Sequence, residues 1–91
     1  MAVNEHIRSM LNEDTIVFDN PNFDNSIIGV TTNGQAVYCY EKMVQELMHD
    51  DGISEQDAID WIEYNTLRVI PYAGEIAPVV IFMLESDIYE Q

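Results

Sequence analysis

Gly52–Tyr72 reads G-I-S-E-Q-D-A-I-D-W-I-E-Y-N-T-L-R-V-I-P-Y, a run that holds a helix start, an apolar stripe, the single tryptophan and a proline stop. Ser54 stands as an N-cap, and Asp57 three residues on completes an S-x-x-D capping pattern. Such a pattern satisfies backbone N–H groups that a helix start leaves open. At about 100° per residue, Ala58, Ile59, Ile62, Thr66 and Val69 fall on one face, the predicted core side. Asp57, Asp60, Trp61, Tyr64 and Arg68 fall opposite, and Glu63 joins them. One helix is therefore predicted from Ser54 to the proline at 71, where the missing N–H stops it.

Working outward, Glu41 to Asp51 is a second predicted helix. Tyr40, Met43, Val44, Leu47 and Met48 lie on one side of it, with Lys42, Gln45, Glu46 and His49 on the other. Gly52 stands where a left-handed residue ends a helix, so a Schellman ending with Ile53 packed on Met48 is expected. The two helices then form a tight hairpin.

Ahead of it, Ser26 to Thr31 and Ala36 to Tyr40 are β-prone runs around Asn33-Gly34. That dipeptide predicts a hairpin with a type I′ turn, because both residues tolerate positive φ. Val37 and Cys39 share one face of the second strand, and Tyr38 and Tyr40 the other. Either face could be core. Thr15 to Phe18 is a further β-prone run, followed by the turn-forming D-N-P-N-F-D-N. Val3, Ile7, Met10 and Leu11 make an apolar stripe on a predicted helix over residues 3–12, with Arg8 outward near Glu5. After the connection P-Y-A-G-E-I-A-P, Val79 to Leu84 is continuously apolar, as a central strand would be, and Ile88 and Tyr89 can pack back. The whole gives a single α+β domain over residues 1–91, ordered α-β-β-β-α-α-β, with helices on one face of a mostly antiparallel sheet of about four strands.

Charge sets the functional class. Seventeen Asp and Glu against three Lys and Arg give a formal net charge of −14. A polyanion is repelled by nucleic acid and by anionic membranes, so neither is an expected partner. A helix-turn-helix reading of the hairpin fails on the same ground, since Glu55, Asp57, Asp60 and Glu63 would face phosphate. A basic protein surface is the expected partner, and solubility alone is the competing explanation of the charge.

No catalytic, metal or cofactor residues are assigned. Asp19, Asn22 and Asp24 miss the calcium-loop frame, and position 30, where a bidentate Glu belongs, is Val. His6, His49 and the lone Cys39 sit on different elements without ligand or dyad spacing, and no glycine-rich phosphate loop is present. Cys39 reads as a small buried hydrophobe. A lone cysteine fits a reducing compartment, and no apolar run is long enough to span a bilayer, so a cytoplasmic location is expected.

The run S-E-Q-D-A-I-D-W-I-E-Y-N-T-L-R-V-I-P-Y-A-G-E-I-A-P-V-V-I-F, with I-I-G-V-T-T-N-G-Q-A-V-Y-C-Y-E-K-M before it, resembles a family of small acidic proteins of phages and mobile elements of Gram-positive bacteria. The resemblance covers roughly residues 15–84 and lies in fold residues, so it brings no catalytic positions. It implies a phage-like setting inside a bacterial host. Very acidic small proteins of that setting resemble DNA mimics, including anti-CRISPR and anti-restriction inhibitors.

Two non-enzymatic readings follow. In one, carboxylates about 5–6 Å apart at Cβ stand in for phosphates on a host defence protein such as Cas9. Asp57, Asp60 and Glu63 form the row, Glu46, Asp50 and Asp51 extend it, and Trp61 and Tyr64 add apolar contact. In the other, the same helix serves a structural or regulatory interaction module, a homodimer among the options, and the charge serves solubility. Packing of Trp61 against the N-terminal helix or the return loop is the alternative to its exposure.

Overall fold

The computed structural model describes residues 4–19, 22–72 and 77–84. Among the described residues it is an α+β arrangement of three α-helices and a three-stranded mixed sheet: α1 (Glu5–Arg8), β1 (Ile27–Val30), β2 (Ala36–Cys39), α2 (Tyr40–Asp51), α3 (Glu55–Trp61) and β3 (Val79–Ile81). A 3₁₀ turn, Asp24–Ser26, precedes β1. The order across the sheet is β1-β2-β3, with β1 antiparallel and β3 parallel to β2. The fold class is therefore the expected one, whereas the sheet has three strands and one of its two pairings is parallel.

Thr15 to Phe18 forms no strand. It runs beside the sheet instead, where the Phe18 N–H donates to the Tyr38 hydroxyl at 3.0 Å. β3 is an edge strand rather than a central one, three residues long and half-buried throughout. Phe82 and Leu84 beyond it are exposed. Ile88 and Tyr89 lie outside the described residues, as does most of the connection before Ala77.

The hairpin forms, with a different turn. Thr31 accepts from the Gly34 N–H at 2.9 Å and donates its own N–H to Gln35 at 2.8 Å. Only Gly34 takes positive φ (89°), and Asn33 does not. Three residues thus span the loop and Gly34 alone carries the left-handed conformation, the next most common hairpin solution after the two-residue turn. On β2, Ala36, Tyr38 and the following Tyr40 join the core cluster with Phe23, Met43, Val44, Leu47, Ala58 and Ile62. The face left open by alternation is thereby assigned, because α2 begins directly after Cys39 and folds its apolar stripe back onto the tyrosine side. Cys39 is also buried, and burial pushes its thiol above the ordinary value.

The Ser54 cap and the left-handed Gly52 of the helix hairpin are as the sequence predicts. The Ser54 hydroxyl accepts from the Asp57 N–H at 3.1 Å, and Gly52 ends α2 at φ 66°. Its N–H donates to the Met48 carbonyl, which makes the ending the simpler αL motif rather than a Schellman motif. The second helix is not one regular helix, however. It changes at Ile62–Thr66 into a π-helical segment and continues as a 3₁₀ helix over Leu67–Tyr72, so Pro71 lies inside the last turn instead of terminating an α-helix. A π segment inserts extra chain into the turn, which offsets the later residues from a straight helical wheel. Ala58, Ile62 and Thr66 remain buried and Ile59 half-buried. The side chain of Val69 lies outside the described set.

At the N-terminal end, α1 is a single turn capped by Asn4, whose side chain accepts from the Ile7 N–H at 3.1 Å. Arg8 does not pair locally with Glu5. Its Nε donates to Asp24 Oδ2 at 2.7 Å and its NH2 group to Asp24 Oδ1 at 3.1 Å, and Asp19 lies 3.5 Å away. Asp24 is fully buried and also accepts from the Asn4 N–H at 2.8 Å. Phe23, at φ 52°, takes the left-handed conformation that turns its ring into the core and sets Asp24 toward Arg8. The two carboxylates of the turn-forming loop, Asp19 and Asp24, thus face this guanidinium.

Candidate functional site: an acidic-rimmed groove on the helix hairpin

Tyr40, the first residue of α2, organises the outer side of the hairpin. Its ring packs under Phe82 with centroids 4.7 Å apart, tilted at 47°. Its hydroxyl donates to Glu63 Oε2 at 3.4 Å. Burial, and after it the charges of Glu63, Glu41 and Asp60, hold the phenol above its ordinary value.

Phe82 is held there by Glu41. The Glu41 carboxylate accepts from the Met83 N–H at 3.1 Å, tying the chain after β3 to the first turn of α2. Burial raises the Glu41 carboxyl, but the backbone N–H groups of Met83 and of Glu41 itself, with the Cys39 thiol, outweigh it and leave the group below its ordinary value.

Between Phe82 and the two helices lies a groove of about 520 Å³. Tyr40, Val44, Met48, Ile59 and Phe82 give its apolar surface, and Glu41, Gln45 and Glu55 edge it. Phe82 is 64% exposed and Met48 37%. The apolar residues of α2 here stand at i, i+4 and i+8, so the floor runs about 12 Å, two helical turns.

The residues expected at a binding face do not all lie together. Asp60, Glu63 and Tyr64 come together with Arg68 around one shallow recess, beside the groove through the contact of Glu63 with Tyr40. Tyr64 is 67% exposed, with the Arg68 guanidinium 4.8 Å over its ring. Asp57 and Asp51 are exposed. Glu46 and Asp50 border a different recess with Asn25, Lys42, Gln45 and His49. Glu46 also accepts from the Ser26 hydroxyl, and burial holds its carboxyl above the ordinary value. It fastens α2 to the turn before β1.

Trp61 is the main departure from the expected face. It is half-buried against the core, and its ring lies 6.4 Å from that of Phe23. It packs on Phe23, in the loop before β1, rather than outward. Tyr40, Ile59 and Phe82 take the apolar role that the wheel gave to Trp61. The available signal was Phe82 itself, an aromatic beyond the last β-branched residues, but its place on Tyr40 depends on the long-range bond to Glu41.

No family model, curated protein or solved structure matches the chain. Among the described residues, no helix is long and apolar enough to cross a membrane.

Proposed function

We propose that the chain is a non-enzymatic acidic binding protein that occupies a basic, nucleic-acid-binding surface of another protein. The observation that carries this reading is the outer face of α3 and the segment after it, where Glu55, Asp57, Asp60 and Glu63 are all exposed. Of the three cations in the chain, only Arg68 shares that face, over Tyr64 and beside Asp60 and Glu63; Arg8 is engaged by Asp24 and Asp19, and Lys42 borders the recess of Glu46 and Asp50.

In the phage-like setting that the sequence resembles, such a protein acts as an inhibitor in the host cytoplasm, displacing DNA or RNA from a defence enzyme of the Cas9 kind. Carboxylates in place of phosphates make association fast and strongly salt-dependent. The test is a low-salt pull-down from a bacterial host lysate, eluted by a salt gradient and repeated with Asp57, Asp60 and Glu63 all changed to Lys. A nucleic-acid-binding protein that elutes with salt and is lost by the triple variant supports the reading. Equal retention by the variant defeats it.

The groove favours a second reading, an interaction module in which apolar contact dominates. There, Phe82→Ala disrupts association and added salt scarcely changes it.

A further inference from the structure

We infer that the groove between α2, α3 and Phe82 receives the apolar face of a basic amphipathic helix belonging to the partner. This rests on the acidic-binding reading above and names the chemistry that the binding face takes. Tyr40, Val44, Met48, Ile59 and Phe82 present an apolar surface about two helical turns long, which matches anchors at i, i+4 and i+7 on an incoming helix. Glu41 and Glu55 on the edge, with Glu63 at the Tyr40 hydroxyl and Asp60 in the same recess as Glu63, face the flanks of that helix and select Lys and Arg there.

Charge decides among the possible occupants. A second copy of the chain brings another −14 to the contact. The segment after Leu84 carries Glu85, Asp87 and Glu90 and no cation. Both are repelled by the rim, whereas a basic helix is attracted by it and also covers the exposed Phe82 and Met48. An exposed apolar patch rimmed by charge is a common form of interaction site.

The experiment titrates the full chain at low salt into two labelled peptides of identical Leu and Lys composition. One places Leu at i, i+4 and i+7 on a single helical face, and its isomer spreads the same Leu residues around the helix. The patterned peptide is expected to bind at least about tenfold tighter. Phe82→Ala and Met48→Lys, each checked for folding by circular dichroism, are expected to remove that preference while leaving the isomer's weaker, salt-sensitive binding. Equal binding of both peptides to the unmodified chain means that the groove is closed to them, as a docked 85–91 segment would close it, and overturns the inference. A preference that survives both substitutions overturns it too. Self-association of the chain that Phe82→Ala abolishes assigns the groove to a second copy and likewise overturns the inference. Binding of neither peptide at low salt removes the acidic-binding reading itself.

Discussion

Phe82 covers Tyr40 at 4.7 Å between ring centroids, and this pair joins the end of the sheet to the start of α2. It is held from outside the sheet by the Met83 N–H on Glu41. Because Phe82 is largely exposed, its loss removes an aromatic pair worth about 0.5–1.5 kcal/mol and little core packing. Phe82→Ala is expected to lower the unfolding free energy in urea by about 1 kcal/mol, with an unchanged far-ultraviolet spectrum.

Arg8 and Asp24 behave differently. Asp24 is fully buried and Arg8 supplies two of its hydrogen bonds, so removing the guanidinium leaves a charge without its partner inside the protein. Arg8→Ala is expected to cost about 3–5 kcal/mol, enough to leave a chain of this size substantially unfolded. Glu5→Ala, which removes the residue that local spacing pairs with Arg8, is expected to cost under about 0.5 kcal/mol. Urea unfolding of the two variants side by side makes the comparison.

Tyr38 gives an alkaline signature. Burial pushes its phenol up to about 12, above the ordinary value of about 10. The folded state thus holds this proton more tightly than the unfolded chain does. The corresponding stability is fully present below about pH 10 and is lost as pH rises toward about 12. Tyr38→Phe is expected to flatten that part of the profile, and at neutral pH to cost about 1 kcal/mol because the Phe18 N–H loses its acceptor. Thermal melts of both proteins between pH 8 and pH 12, as approximate limits set by the tyrosine range, test this.

Glu46 acts in the opposite pH range with the same sign. Its carboxyl is held above the ordinary value by burial, so its favourable contribution is present when it is protonated and fades as pH rises through its folded value. Glu46→Gln keeps an acceptor for Ser26 without the charge. It is expected to raise the melting temperature at pH 7, and the gain should vanish as pH falls below about 4.5. A gain that persists in acid would show that the carboxylate is not the cause.

What the sequence makes legible is local. The Ser54 cap, the left-handed Gly52 and the two hairpin strands depend on residues within a few positions of each other, and their chemistry can be read directly from the chain. The exposure of Asp57, Asp60, Glu63 and Tyr64 follows from the same periodicity. What it hides rests on distant partners. Arg8 reaches Asp24 sixteen residues away, and Met83 reaches Glu41 across forty-two. The parallel pairing of β3 with β2 is of this kind. So is the contact of Trp61 with Phe23, which no helical wheel contains and which draws the indole away from the outer face. A wheel drawn on a uniform 3.6-residue turn also cannot anticipate the π segment at Ile62–Thr66. Glu46 reads as part of an acidic surface because its partner, Ser26, lies on another element.

The acidic face is the central claim, and competition with nucleic acid tests it most directly. The partner recovered by salt elution is titrated with labelled duplex DNA or RNA, whichever it binds, while the chain is added as competitor. The account predicts that the chain displaces the nucleic acid, that displacement weakens steeply as salt rises, and that the variant with Asp57, Asp60 and Glu63 all changed to Lys does not compete. Simultaneous binding of the chain and the nucleic acid, or undiminished competition by the triple variant, would contradict it.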